Sequence, residues 1–229
     1  MVGNAVHDVQ TGDNVYGIAP GNFGNYVRAP ATSVQKSFFE QNHAKMASMP
    51  IVYMTAIYAF IHLAHLSKGE TVLIHSAAGG LGMAALRIAR HLGAEIYATV
   101  GNPEKVKVLI EKFGVAGDHI FSSRELSAIP KLMDSTKSRG IDVILCSAVG
   151  EQMHETWRCI APMGRFIEVG RKDIMEHGKL SLEVFKRNAT FSSFDLGLLY
   201  QQNPQFCARY VHRRMQYHPL RVFHHLWPR

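Results

Sequence analysis

Between residues 70 and 193 the chain alternates short apolar, β-branched runs with segments of helical period. No other feature constrains its fold as much. The runs are TVLIH at 71–75, IYATV at 96–100, HIF at 119–121, DVIL at 142–145, FIEV at 166–169 and ATF at 189–191. Runs of this length and composition read as buried strands. Between the first two, Leu81, Ala84, Ala85, Ile88, Ala89 and Leu92 make one apolar stripe at helical spacing, while Arg87, Arg90 and His91 fall off it. Gly93 then stands where a helix ends on a left-handed residue. Strands fed by helices in this order predict a six-stranded parallel sheet with helices on both faces. Right-handed crossovers make such a sheet doubly wound.

The turn between the first strand and its helix reads HSAAGGLG at 75–82. Set against the pattern GxGxxG, Ala77 takes the first place, Gly79 the second and Gly82 the third. With Ala78, Gly80 and Leu81 between them, these residues read as the dinucleotide-binding turn of a Rossmann domain. Gly79 lets the backbone approach a pyrophosphate, and Gly82 lets helix and strand pack closely. The helix start adds unpaired N–H groups and a positive dipole end. The alternative, a glycine turn chosen only for packing, is weakened by the strand before it and the helix after it.

The second strand discriminates between cofactors. An acid at its end would bind a ribose 2′-hydroxyl. Here the strand ends Thr99-Val100-Gly101-Asn102 with no acid, Lys105 follows, and Arg124 lies after the third strand. A neutral floor with basic side chains suits a 2′-phosphate, so the cofactor read here is NADPH. The competing reading of Lys105 is an ordinary solvated helix lysine.

Composition sets the class. Of 229 residues 47% are hydrophobic and 19% charged, as in ordinary globular proteins. The formal charge of +7 is concentrated at the end of the chain, where Arg209, Arg213, Arg214, Arg221 and Arg229 follow the last acid, Asp195. Without those five, 20 basic side chains face 18 acidic ones. That balance gives no basic face for nucleic acid. Cys146, Cys159 and Cys207 form no CxxC pair, an odd and scattered set that fits a cytoplasmic chain. No set of Cys and His stands at zinc-ligand spacing, so no metal is expected. The N-terminus lacks the pattern of a signal peptide. The most apolar stretch, residues 51–66, falls short of the ~20 residues of a membrane span. It contains His62 and His65 and reads as a buried helix.

Three regions follow: a partial β-rich domain at 1–49, a Rossmann domain at 50–199 and an atypical basic tail at 200–229. In the first, DNVYG at 13–17 and FGNYV at 23–27 read as short β pieces, and KMASMP at 45–50 as the link to the second. The first region reads as the end of a domain that begins upstream.

Several stretches now carry a resemblance. HSAAGGLG, ATVGNPEK, FGVAGDHIFSS, GRFIEVGRKDI and RNATFSSFDL resemble successive motifs of polyketide synthase enoyl reductases. These are medium-chain dehydrogenase/reductases of the quinone oxidoreductase-like branch. GDNVYGIAPGNFGNYVRAP and MPIVYMTAIYAFIHLAHLSKGE resemble the same family upstream, so the likeness runs from Gly12 to Phe206. HIFSSR together with RNATFSSFDL is most similar to the highly reducing fungal enzymes.

The resemblance implies a GroES-like identity for the first region, no catalytic zinc, and NADPH-dependent reduction of an α,β-unsaturated thioester on an acyl carrier protein. It also implies other polyketide synthase domains as partners and allows a homodimer, while charge and hydropathy argue against nucleic acid and membrane. The family's catalytic lysine aligns with Arg171 in the turn Gly170-Arg171-Lys172, which follows Val169. Arginine keeps its proton, its pKa exceeding ~12, but it can stabilise an enolate by charge. Lys172 is the alternative donor, and Asp195 the downstream acid paired with this turn. A surface salt-bridge cluster is the competing account. Tyr53 and Thr55 fall where the family contacts nicotinamide or substrate, with core packing the alternative for Tyr53. Cys146 stands where many relatives carry Asn. His75 reads as a satisfied core histidine. The family's β-rich domain starts before residue 1 and takes back the chain's end, and the return is not recognisable here. The chain therefore reads as truncated. Alternatives to a working reductase are a catalytically incomplete cofactor-binding fragment and a stand-alone NADPH quinone reductase.

Overall fold

The computed structural model describes residues 1–19, 24–37 and 43–206. It divides into two compact units, Met1–Thr55 with the residues from Leu196 on, and Ala56–Asp195.

The second unit is built on one parallel sheet. Its strands are β3 (Thr71–Ile74), β4 (Glu95–Val100), β5 (Ile120–Ser122), β6 (Ile141–Cys146), β7 (Ile160–Glu168) and β8 (Thr190–Ser193). They lie in the order β5-β4-β3-β6-β7-β8. All neighbours are parallel, with Ile74 between Ala98 and Leu145. The order runs outward from β3 through β5 and then restarts at β6, so β3 and β6 flank the switch point. Ligands of such sheets bind beyond the carboxyl ends there. Every residue of β6 is buried, as a central parallel strand covered on both faces requires.

Helix α2 (Gly80–Leu92) follows β3 and ends as its stripe predicts, on Gly93 at φ 75°. Helix α3 (Pro103–Phe113) starts on Asn102, whose side chain accepts the N–H of Lys105 at 3.0 Å, and stops on left-handed Gly114. Helices α4 (Ala128–Ser135) and α5 (Glu151–Arg158) complete the crossovers. Between them and the sheet lies a core of Leu73, Leu132, Ile144, Trp157 and Phe166. The buried Trp157 indole N–H is donated to the Ser181 carbonyl at 3.0 Å.

The amino ends of the strands are tied by charge. Asp142 accepts the backbone N–H and hydroxyl of Thr71, each at 2.9 Å, and both arms of the Arg139 guanidinium. Burial pushes its carboxyl up, but those donors outweigh burial and hold it below 3.8. Arg165 grips Glu70 with two hydrogen bonds at 2.9 and 2.8 Å. These ties occupy the end of the sheet opposite the glycine turn.

In the first unit β1 (Val15–Gly17) pairs antiparallel with β2 (Val34–Lys36). The second β piece expected at 23–27 does not form among the described residues. Phe23 lies outside the described residues, and Tyr26 and Val27 form no strand and are exposed. The chain instead turns through a 3-10 segment at Ala31–Ser33, which delivers Val34 to Gly17. A side chain on Gly17 would collide with the Ser33 carbonyl, so the close approach needs glycine.

The stretch expected as a link at 45–50 is helical. It belongs to α1 (His43–Ile57), which runs through Pro50. Met46, Met49, Tyr53, Met54 and Ile57 recur at helical spacing and are buried, and this burial outweighs the hydrogen bond that Pro50 removes. A π-helical turn, Tyr58–Leu63, continues it. Met46–Leu63 is long and apolar enough to cross a membrane by length and composition, but half of it is buried within the fold. The residues from Cys207 on, the basic tail among them, lie outside the described residues. Short helices α6 (Lys172–Met175), α7 (Leu196–Gln202) and α8 (Pro204–Phe206) complete the described chain.

Candidate functional site

The glycine turn is stitched to the neighbouring strand. Ser76 takes a left-handed φ of 50° and donates its N–H to the Thr99 hydroxyl at 3.2 Å. Ala77, buried, donates its N–H to the Thr99 carbonyl at 2.9 Å, and Gly79 donates to Ser76 at 2.8 Å. The two glycines differ. Gly79 is exposed and extended, and an added Cβ would lie 3.1 Å from the Ser76 carbonyl. Its lack of a side chain leaves the surface above the turn open. Gly82 is buried, and a Cβ there would come within 2.5 Å of backbone atoms of Ser76 and Ala77. Its lack of a side chain is what lets α2 sit on the turn. No side chain caps α2, and no acid lies in its first turn. The amides of Gly80, Leu81 and Gly82 therefore open the helix without helical acceptors. Half-buried Ala78 lies beside them.

His75 is buried as expected, but it is not satisfied. Its Nε2 has no hydrogen-bond partner. Burial pushes its pKa down to about 4, so the ring is neutral. It borders a cavity of about 10 Å³ shared with Thr99, Phe121, Gln152 and Thr156.

At the end of β4 the side chains of Ser123 and Arg124 lie over Gly101. A Cβ on Gly101 would be 3.4 Å from Arg124 Nε and 3.5 Å from Ser123 Oγ. Ser123 is fixed by its N–H to the Val100 carbonyl at 2.8 Å. No motif in the sequence marks Ser123, although it and Arg124 directly follow β5. Lys105 is exposed on the first turn of α3. Among the described residues no carboxylate pairs with Lys105 or Arg124. Asn102 spends its side-chain oxygen on capping α3.

At the end of β7, Val169 donates its N–H to the Cys146 carbonyl at 2.9 Å. Gly170 passes so close to the Ser147 carbonyl that a Cβ would lie 3.2 Å from it. Arg171 takes a left-handed φ of 62° and leads into α6. Its N–H is donated to Glu168 Oε1 at 2.5 Å, and its guanidinium is ion-paired with Asp195. The sequence-predicted partners Arg171 and Asp195 are thus together. Lys172 is not with them: it is exposed, with its Nζ 4.0 Å from Glu176. Asp173 accepts the N–H of Gly150, at 2.9 Å to Oδ2. This holds the loop after β6 against the turn after β7. Glu168, 1% exposed, was missed. Its one signal is an acid inside the apolar run FIEV.

Tyr53 and Thr55 lie on α1. Tyr53 is buried, and the Thr55 hydroxyl is donated to the Ile51 carbonyl at 2.8 Å. Cys146 is fully buried, with its Sγ 3.8 Å from the Ala148 carbonyl, and burial pushes its thiol pKa up. Among the described residues no group of three or more His, Cys, Asp or Glu side chains could hold a metal ion.

A family model described as zinc-binding dehydrogenase matches residues 80–209. The chain belongs to that family, within the medium-chain dehydrogenase/reductases, although its described residues do not fit a zinc ion. Its relatives lie in polyketide synthases. It is 42% identical to the highly reducing polyketide synthase xilA of Penicillium rubens, over 97% of this chain and 9% of that protein. Its fold matches a putative enoyl reductase domain of a polyketide synthase (TM-score 0.69, 34% identity, 78% of this chain and 96% of that one). It also matches the CurF ER cyclopropanase from the curacin A biosynthetic pathway (TM-score 0.84, 30% identity, 96% and 65%). The chain thus spans about a tenth of the curated relative, and its parallel sheet is the Rossmann-type fold of this oxidoreductase family.

Proposed function

We propose that this chain binds NADPH and reduces the α,β-unsaturated thioester of an acyl group carried on an acyl carrier protein during polyketide synthesis. The observation that carries the reading is the pairing, within one unit, of an uncapped helix start at Gly80–Gly82 with an unpaired guanidinium over Gly101. The first suits a diphosphate and the second a 2′-phosphate. Lys105 supplies a second cation, Ser123 a hydroxyl, and the open backbone at Gly79 the approach. Ala77, Ala78 and Leu81 shape the turn, while Gly101, Asn102, Val169 and Gly170 line the strand ends nearby.

NADPH, when bound, supplies the hydride. The chain's own part is orientation and charge. Hydride addition to the β-carbon leaves negative charge on the thioester oxygen, and a guanidinium held at the strand ends stabilises it. In this reading Arg171 is that group and Asp195 holds it in place. Arg171 does not release a proton, so the α-carbon is protonated by Lys172 or by water. Tyr53 and Thr55 are assigned to substrate contact, and residues 1–49 to the end of a GroES-like substrate domain. Acyl carrier protein, other synthase domains and a second copy of the chain are the partners of this reading, and the cytoplasm its compartment.

The test is titration of the purified chain with NADPH and with NADH, followed by turnover of a crotonyl thioester. Tighter NADPH binding and enoyl reduction support the reading. Failure to bind either dinucleotide overturns it. Binding without turnover identifies a cofactor-binding fragment, and turnover of quinones alone a quinone reductase.

A further inference from the structure

Glu168 ends β7 with its carboxylate buried, between Cys146 of β6 and Ser193 of β8. A buried carboxylate needs donors. Two are present. The Arg171 backbone N–H approaches Oε1 at 2.5 Å, and the Ser193 hydroxyl approaches Oε2 at 3.0 Å. The nearby guanidinium of Arg171 is not one of them, because it is turned to Asp195.

The backbone contact matters because of the conformation it holds. Arg171 sits at φ 62° and ψ −14°, a region that a residue with a Cβ enters at a cost. Gly170 makes room for the carboxylate beneath the turn, since a Cβ there would lie 3.1 Å from Glu168 Oε1. With the N–H of Arg171 drawn back onto Glu168, the chain reverses into α6 and the side chain of Arg171 reaches Asp195.

We infer that Glu168 is a positioning residue: its buried carboxylate holds Arg171 left-handed and thereby seats the guanidinium on Asp195. Its catalytic consequence rests on the reading of Arg171 given above, whereas its geometric consequence does not.

The experiment uses the full chain with Glu168→Leu, Glu168→Gln and Ser193→Ala. The first removes the acceptor, the second keeps an oxygen acceptor without charge, and the third removes only the tie to β8. Two readouts are taken: the Arg171 side-chain 15Nε–H signal, and kcat against KM and the NADPH Kd. Glu168→Leu is expected to move the Arg171 signal to the position of a free arginine. It should also lower kcat about tenfold or more, with the NADPH Kd within about twofold of the parent. Glu168→Gln and Ser193→Ala keep the signal and most of kcat. An unmoved Arg171 signal in Glu168→Leu overturns the inference. So does an equal loss in Ser193→Ala, which would make Glu168 only a tie between strands. If Glu168→Leu does not fold, Glu168→Asp, one methylene shorter, is read by the same signal with the same expectation. If the parent chain turns over no enoyl thioester, the functional reading fails while the Arg171 signal still decides the positioning role.

Discussion

The guanidinium of Arg171 is ion-paired with the carboxylate of Asp195, and both groups are only about a third exposed. A cation held this way is pre-oriented at the carboxyl ends of β7 and β8, the side of the sheet where ligands of doubly wound folds bind. Arg171→Ala should therefore lower kcat for an enoyl thioester by about 10²-fold, the usual scale for removing one donor to a developing oxyanion. NADPH affinity should hardly change. Arg171→Lys keeps the charge and should retain more activity than alanine. Steady-state kinetics with a direct NADPH titration check both, and an alanine variant of undiminished kcat would remove Arg171 from the chemistry.

Arg124 lies over Gly101, and Lys105 stands on the next helix without a carboxylate partner among the described residues. A charge-assisted contact contributes about 1.5–3 kcal/mol. Arg124→Ala and Lys105→Glu should each weaken NADPH by about tenfold or more, while NADH binding stays nearly as it was. Equal losses for both dinucleotides would show that neither side chain meets a 2′-phosphate. Ser123→Ala should act in the same direction with a smaller effect, because a neutral hydroxyl contributes less than a guanidinium.

The parallel sheet was legible because strands buried on both faces leave continuous apolar runs, and β6 is buried along its whole length. β7 was read too short. It begins at Ile160, where Pro162, left-handed Met163 and Gly164 break the run before FIEV. Arg124 could be placed from topology alone, since β5 lies beside β4. Glu168 could not. One of its partners comes from a left-handed turn three residues on and the other from β8, and neither contact leaves a periodic trace. The pairing of β1 with β2 was hidden for a similar reason: a short turn at Ala31–Ser33, not hydrophobic alternation, sets it. In α1, helical burial outweighed a proline that reads as a boundary.

The two glycines of the turn should fail in different ways. A Cβ on Gly82 meets backbone of Ser76 and Ala77 at 2.5 Å, and backbone cannot swing aside. Gly82→Ala should cost about 1–3 kcal/mol of stability, seen as a lower Tm, because overpacking forces the turn and α2 apart. At Gly79 the nearest atom to a Cβ is the Ser76 carbonyl oxygen, 3.1 Å away, a tight contact that a shift of a few tenths of an ångström in this exposed turn relieves, so a side chain should cost less stability here than at Gly82. The space taken is the approach to the helix start. Gly79→Val should keep Tm within a few degrees and abolish NADPH binding. Retained micromolar affinity in that variant would place the diphosphate elsewhere.

His75 should make stability depend on pH. Its ring is fully buried with Nε2 unpaired, and burial takes its pKa from 6.5 down to about 4. The unfolded chain therefore binds a proton at higher pH than the folded chain does. Stability is unaffected above 6.5, falls as the pH drops from 6.5 towards 4, and levels below that, with a total loss of about 3 kcal/mol from this one group. His75→Leu cannot take up the proton, so its stability should change less over the same window. Urea unfolding of both proteins at several pH values between 7 and 4 measures the difference. Parallel stability curves would mean that the folded ring takes up its proton at the same pH as the unfolded one, and would overturn this prediction.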